Sequence, residues 1–80
     1  MPITAAQCRG ARAMVGLSQT DLAGMAKVAR ATLAEFENGR RVPYERTLND
    51  IQAALESSGV EFIEENGGGA GVRLTKGETT

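Results

Sequence analysis

Residues 17–41 read LSQTDLAGMAKVARATLAEFENGRR, a spacing typical of two short helices joined by a tight turn. Ser18 is a favourable N-cap for the first of these helices. The apolar residues that recur behind it at helical spacing, and that we predict to be buried, are Leu22, Met25 and Ala26. Ala23 stands at the middle of this helix and is small enough for a second helix to cross closely there. The stretch therefore predicts two helices packed at a steep angle.

A turn over residues 27–29 separates the two helices, and Val28 is predicted to point into the core. The second helix is predicted over about residues 30–38, with Leu33 and Phe36 buried at positions i and i+3. Proteins that use two helices in this arrangement lay the second helix in the major groove of duplex DNA and the first across the backbone. The stretch is therefore a candidate nucleic-acid interface.

Helical periods also flank this stretch. Thr4 and Gln7 form a predicted capping box, which begins a helix that ends near Gly16. The inner stripe of that helix is predicted to be Cys8, Ala11 and Val15. Past the C-cap residue Gly39, a fourth helix is predicted from the apolar period of Leu48, Ile51, Ala54 and Leu55. Tyr44 is predicted to be a partly buried lid on this fourth helix.

Past Gly59 the period changes from helical to alternating, over residues 60–64 and again over residues 72–75. These two segments, joined by a glycine-rich loop, predict a β-hairpin. A flexible, linker-like tail is the alternative, because a lone two-stranded hairpin is barely stable in water. The chain is therefore predicted to be mainly α, with four helices in a domain over residues 1–58 and a hairpin tail over residues 59–80.

Composition excludes several classes of protein. Eighty residues make one domain of marginal stability. Cys8 is the only cysteine and histidine is absent, so one chain offers no disulfide framework, no ordinary zinc site and no histidine acid–base chemistry. No recognisable catalytic constellation is present, which predicts that the chain is not an enzyme and takes no metal or cofactor. It lacks an apolar run of about 18 residues and a signal peptide, so we expect a cytoplasmic protein without membrane contact.

Charge is distributed unevenly along the chain. The net charge is −1, which is low for a protein that neutralises phosphates. Residues 1–50 nevertheless carry seven basic and five acidic groups, whereas residues 51–80 carry two basic and five acidic groups. This uneven charge suggests that residues 1–50 can face phosphate and that residues 51–80 face away from it. The alternative is an ordinary solvated surface.

The chain resembles the phage-repressor-like (Xre-type) helix-turn-helix family at Gln19, Ala23, Val28, Leu33, Phe36 and residues 37–41. The resemblance covers roughly residues 4–58 and implies a four-helix, lambda-repressor-like fold there. It also implies that the chain binds operator DNA as a two-fold symmetric homodimer and regulates transcription, usually as a repressor. The chain departs from the family pattern at Lys27, where glycine is usual, and at Ala29, where Ser or Thr normally caps the recognition helix. The first departure costs about 1 kcal/mol if Lys27 is left-handed, and the missing cap at Ala29 costs roughly 1 kcal/mol.

The resemblance places the start of the third helix in the major groove of double-stranded DNA. The residues predicted to contact bases are Arg30, Ala31, Ala34 and Glu35. For Glu35, the alternative to base contact is an intrahelical or surface ion pair, and this alternative is favoured. The residues predicted to contact phosphates are Gln19, Lys27, Thr32, Asn38, Arg40 and Arg41. For the two consecutive arginines, the alternative is a solubilising loop.

A single module of this kind covers too few base pairs for useful selectivity, so we expect a surface that self-associates. The hairpin is the favoured dimer interface, and helix four with its following loop is the alternative. The apolar hairpin residues predicted to form the interface are Phe62, Ile63, Val72 and Leu74. An alternative function is a protein-interaction module, such as an antitoxin or antiactivator, that uses the acidic hairpin to bind a protein partner.

Overall fold

The computed structural model describes residues 2–75, which form four helices followed by a two-stranded antiparallel hairpin. The elements in chain order are α1 (Ala5–Val15), α2 (Gln19–Ala26), α3 (Arg30–Glu37), α4 (Glu45–Ser57), β1 (Val60–Ile63) and β2 (Gly71–Leu74). The predicted fold class, mainly α with a short C-terminal hairpin, is confirmed. None of the helices in this part of the chain combines the length and the apolar character needed to cross a bilayer.

Local sequence signals explain where the first two helices begin. Thr4 and Gln7 form the predicted capping box at the start of α1, with each side chain bonded to the other residue's backbone N–H. Ser18 and Asp21 form a second capping box at the start of α2. Ala29, which precedes α3, makes no side-chain cap hydrogen bond. The first two helix starts are therefore locally encoded, whereas the start of α3 depends on packing.

The ends of α1, α2 and α3 share one backbone conformation. Gly16, Lys27 and Gly39 each follow a helix in the left-handed conformation, with φ of 72°, 60° and 77°. In each case the next residue's N–H bonds to a carbonyl five residues earlier, as in a Schellman motif. Lys27 is the one non-glycine residue with positive φ among residues 2–75. Lys27 therefore has the left-handed conformation at which a non-glycine residue is expected to be strained.

The core is built from the inner faces of all four helices and from the first strand. Its buried members are Ile3, Cys8, Ala11, Leu22, Ala23, Ala26, Leu33, Phe36, Leu48, Ile51, Ala54, Leu55 and Val60. Val60 is only 1% exposed, so the hairpin begins inside the helical core. Phe62 and Val72, two of the residues predicted for a dimer interface, pack against the core of their own protomer. Their role in a dimer stays a prediction.

The hairpin is anchored to α1. Val60 pairs with Leu74 and Phe62 with Val72, which puts these four side chains on one face of the hairpin. The buried Gln7 amide donates from Nε2 to the backbone carbonyls of both strands, at Ile63 (3.3 Å) and Gly71 (2.9 Å). Packing against helices supplies the stability that an isolated hairpin lacks. The predicted hairpin is therefore confirmed over residues 60–74, and residues 76–80 of the predicted tail lie outside the described residues.

Two burial predictions are wrong. Met25 is 46% exposed, because α2 buries the face centred on Leu22, Ala23 and Ala26, and Met25 lies at its margin beside a surface groove. Tyr44 is 85% exposed and is no lid on α4. It occupies the N-cap position of that helix and makes no side-chain cap hydrogen bond.

Candidate nucleic-acid interface

One face of α3 is open to solvent along its whole length. Arg30, Ala31 and Glu35 are exposed and Ala34 is half-buried. These positions follow the i, i+1, i+4, i+5 spacing of a single helical face. The opposite face carries Leu33, Phe36 and Glu37, which are all buried. The four side chains predicted to contact bases are thus brought together on the exposed surface of one short helix.

Basic residues flank this face at both ends. Lys27 is exposed in the turn before α3, and Arg40 and Arg41 are exposed in the loop after it. Asn38, which follows the helix directly, is also exposed, whereas Thr32 is half-buried on the side of the helix. The predicted phosphate-contacting residues therefore flank the predicted base-contacting residues, and Thr32, like Gln19, is only partly accessible.

Glu35 takes part in an exposed ion pair. Its Oε1 lies 3.4 Å from Nη1 of Arg41, and both side chains are about half-exposed. Such a pair contributes only about 0.2–1 kcal/mol in water, so a phosphate or a base can replace either partner. The ion pair that we weighed against base contact is present, and the base contact stays a prediction.

A buried carboxylate lies beneath the exposed face, and the sequence analysis missed it. Glu37 is 1% exposed. Arg12, on α1, donates to it through both Nε (2.8 Å to Oε2) and Nη2 (2.7 Å to Oε1). The Cys8 thiol donates to Oε2 at 3.1 Å. The signal was available in the spacing, because Glu37 is at i+4 from Leu33 and therefore falls on the inner side of α3.

The hydrogen bonds at Glu37 decide its ionisation. Burial opposes the charged form, but the hydrogen bonds from Arg12, Gln19 and Cys8 outweigh it and hold the pKa of Glu37 below its ordinary value. The same contact raises the pKa of Arg12. Burial together with the neighbouring carboxylate raises the pKa of the Cys8 thiol. Glu37 and Arg12 are therefore a charged pair at neutral pH, and Cys8 is an inert thiol donor, as its predicted place in the core implies.

Backbone contacts extend this network to the segments around α3. Arg9 donates from Nη1 to the backbone carbonyl of Glu37, at the last turn of α3. Arg12 donates from Nη1 to the carbonyl of Leu17 at 3.0 Å, in the loop that leads into α2. Two arginines of α1 thus bond to both the end of α3 and the loop before α2. These bonds fix the orientation of α3 relative to the other two helices.

Gln19, at the start of α2, connects this network to the exposed face. The side chain is half-buried, and its Nε2 donates to Oε1 of Glu37 at 3.1 Å. Its Oε1 accepts from Nη1 of Arg30 at 3.5 Å. The residue predicted to contact phosphate is therefore already hydrogen-bonded within the protein.

Replacing Lys27 with Gly is expected to stabilise the fold by about 1 kcal/mol, because glycine occupies the left-handed region without the steric cost of a Cβ. A chain of this size would then melt roughly 4–8 °C higher, measured by circular dichroism. Lys27→Ala is the control, because it removes the ammonium group but keeps the Cβ, and its stability should stay near that of the wild type. Equal melting temperatures for Lys27→Gly and Lys27→Ala would contradict the strain at this position.

Comparison with known families agrees with this geometry. A family model described as helix-turn-helix matches residues 9–62, which is more than half of the 80 residues. The match includes α2, the turn and α3, together with α4 and most of α1. A comparison with curated proteins gives no match. The chain belongs to the Xre-type, lambda-repressor-like helix-turn-helix family of DNA-binding regulators.

Proposed function

We propose that this protein is a sequence-specific transcriptional regulator that represses by covering its operator, with α3 lying in the major groove. The observation that carries the proposal is the open face of α3 between basic residues, with Lys27 before it and Arg40 and Arg41 after it. Major-groove binding needs an exposed helix face flanked by groups that neutralise phosphate, and the surface of α3 has both.

Base reading falls to the four residues of the exposed face. The planar fork of Arg30 donates two hydrogen bonds to O6 and N7 of a guanine. The Ala31 and Ala34 methyl groups pack against thymine methyl groups, and the Glu35 carboxylate, once released from Arg41, accepts from a cytosine amino group. Arg30 therefore supplies most of the discrimination between sequences.

Phosphate contacts come from Lys27, Arg40 and Arg41, with Asn38 and Thr32 donating from the sides of the helix. These contacts set the position of α3 on the duplex and strengthen binding to every sequence alike. Each neutralised phosphate adds about 0.9 to the slope of log affinity against log salt concentration. The two groups of residues can therefore be separated by experiment.

Arg30→Ala tests the base-reading role. We expect it to reduce the preference for the operator over a duplex altered at one base pair by roughly 5–150-fold, since one bidentate arginine–guanine contact is worth about 1–3 kcal/mol. An operator is first obtained by selection from a random duplex library, and affinities follow from fluorescence anisotropy. The matched control is Arg40→Ala with Arg41→Ala, which should lower the salt slope by about 2 and leave sequence preference unchanged. A wild-type protein that binds selected and scrambled duplexes equally would overturn the proposed function.

In this proposal, two copies of the chain bind to each other through their hairpins. Leu74 is 40% exposed at the end of β2, and Ile63 lies on the outer face of the hairpin beside the Glu61–Arg73 ion pair. Phe62 and Val72, on the inner face of the hairpin, pack against the core and hold the strands in place. Pairing along the outer edge of β2 gives a two-fold symmetric contact in which each copy offers the same residues.

A further inference from the structure

We infer that a cavity beside the end of α3 binds a small organic acid, and that the bound acid weakens DNA binding by occupying Arg41. The binding of the acid is independent of the proposed function, whereas its effect on DNA rests on that function, because Arg41 is proposed there to contact phosphate. The cavity, called the α3 cavity below, is bordered by residues 2–5, Phe36, Gly39, Arg41, Val42 and Leu48. The segment before α1, the last turn of α3, the following loop and the first turn of α4 therefore meet at it.

The α3 cavity has the size of a binding site for a small molecule. Its volume is about 320 Å³, and ligand pockets in proteins measure about 300–1,000 Å³. Its floor is formed by Ile3, Phe36 and Leu48, which all belong to the hydrophobic core and are at most 5% exposed. The cavity is therefore an opening onto the core, between elements that the core holds in place.

The walls of the α3 cavity are also largely apolar. Pro2 is exposed, and Val42 is 82% exposed although it borders the cavity. The Thr4 hydroxyl already accepts from the N–H of Gln7 in the capping box of α1. Water in such a cavity finds few hydrogen-bond partners, so an apolar group displaces it favourably. The body of the occupant should therefore be apolar.

Charge complementarity identifies the polar end of the occupant. Among the described residues that border the cavity, Arg41 is the only ionisable one. Its ion pair with Glu35 is exposed and 3.4 Å long, so another anion can replace it at little cost. The planar guanidinium fork matches a carboxylate with two parallel hydrogen bonds. An apolar body with a single carboxylate thus satisfies both the core-facing floor and the one cation.

Occupation of Arg41 has a direct consequence for DNA binding. A guanidinium that is bonded to a carboxylate is not available to a phosphate, so the acid and the duplex oppose each other's binding. The loss of one phosphate contact lowers the salt slope by about 0.9, which amounts to about an 8-fold loss of affinity over the tenfold range between about 1 M and about 0.1 M salt. Phosphate contacts carry no sequence information, so the loss should be equal for every duplex.

Octanoate is the probe for this inference, because it combines an apolar chain with one carboxylate. For a ligand of its size we expect a dissociation constant between roughly 10 μM and 1 mM. In the absence of DNA, octanoate should raise the melting temperature of the protein as its concentration increases. At saturation and constant ionic strength it should lower the affinity for the operator and for a scrambled duplex by about 8-fold alike, as measured by fluorescence anisotropy. Acetate, which lacks the chain, and octanol, which lacks the charge, should leave DNA affinity unchanged.

Three variants locate the effect. Arg41→Gln should abolish the influence of octanoate on DNA affinity. Arg40→Gln is the matched control, because Arg40 is the neighbouring exposed arginine and does not border the cavity, so octanoate should still act on it. Ala5→Leu fills the cavity from α1, and it should keep the operator affinity of the wild type but lose the response to octanoate. Thermal melting of each variant confirms that the measurements are made on folded protein.

The outcomes separate this inference from the proposed function. A melting temperature that saturating octanoate does not raise would overturn the inference and leave the proposed function standing. An octanoate effect on DNA affinity that persists in Arg41→Gln or in Ala5→Leu would also overturn it, because the acid would then act elsewhere. A wild-type protein without sequence preference would overturn the proposed function, while a rise in melting temperature with octanoate would still support the α3 cavity as a binding site.

Discussion

Arg12→Ala is expected to lower the free energy of unfolding by about 3–5 kcal/mol, because it leaves the Glu37 carboxylate buried without a counter-charge. Small domains are stable by only about 5–15 kcal/mol in total, so the variant should be close to unfolding at room temperature. Urea denaturation followed by circular dichroism at neutral pH measures the loss.

Two further variants identify the cause. Arg73→Ala removes an arginine from the exposed pair with Glu61, and the loss there should be less than about 1 kcal/mol. Arg12→Ala combined with Glu37→Gln should recover part of the stability, because a neutral amide no longer carries an unpaired charge into the core. A loss in Arg12→Ala no larger than that in Arg73→Ala would show that the buried pair does not hold α1 and α3 together.

The contribution of Glu37 to the free energy of unfolding should depend on pH with opposite signs in the wild type and in Arg12→Ala. In the wild type the pKa of Glu37 is lower in the folded state than in the unfolded chain, so its stabilisation is present above the ordinary glutamate value and is lost as pH falls through the folded value. Without Arg12, burial becomes the dominant influence and raises that pKa. The destabilisation of Arg12→Ala relative to the wild type should therefore shrink as the pH is lowered from neutral toward about 4. A difference in stability that is constant across this range would contradict an ionised Glu37.

Much of the fold could be predicted because its signals are local. The capping residues Thr4 and Ser18 lie one residue before the helices that they start, and Gly39 lies in the left-handed position after α3. The predicted ends of α1, α2 and α3 are consequently right to within a residue or two, whereas the apolar period that predicts α4 begins only at Leu48, after the helix has begun at Glu45. Met25 was mispredicted because the period of α2 is compatible with two adjacent faces, and only the packing of small Ala23 against its neighbours selects one of them.

The exposed half of the candidate site was also predictable, whereas its buried support was not. The spacing of Leu33 and Phe36 indicates which side of α3 faces inward, and hence which residues face outward. The bond between Arg12 and Glu37 joins residues 25 positions apart, and those of Gln7 to the hairpin span 56 and 64 positions. Such pairings depend on how helices cross, which composition and periodicity do not specify.

Leu74→Pro is expected to turn the proposed dimer into a monomer and to weaken operator binding by about 10²–10⁴-fold, because the two half-sites are then bound independently. The N–H of Thr75 bonds to the carbonyl of Gly59 at 2.8 Å, and bonded pairs alternate along an antiparallel ladder. The N–H of Leu74 therefore points away from β1, toward the open edge of β2. A proline there removes an edge donor while leaving the hairpin ladder intact. Light scattering gives the mass, and anisotropy gives the affinity.

Arg73→Pro is the matched control for this experiment. Arg73 lies opposite Glu61 in a hydrogen-bonded pair, so its N–H points toward β1 and donates within the hairpin. Leu74→Pro should lose only the stability that the dimer contact adds, whereas Arg73→Pro should melt at a lower temperature still, because it also breaks the ladder. Deletion of the whole hairpin after Gly59 cannot make this distinction, because it also removes the buried Val60. If Leu74→Pro melts like the wild type and keeps the mass of a dimer, then the edge of β2 is not the dimer contact, and the alternative surface on α4 takes its place.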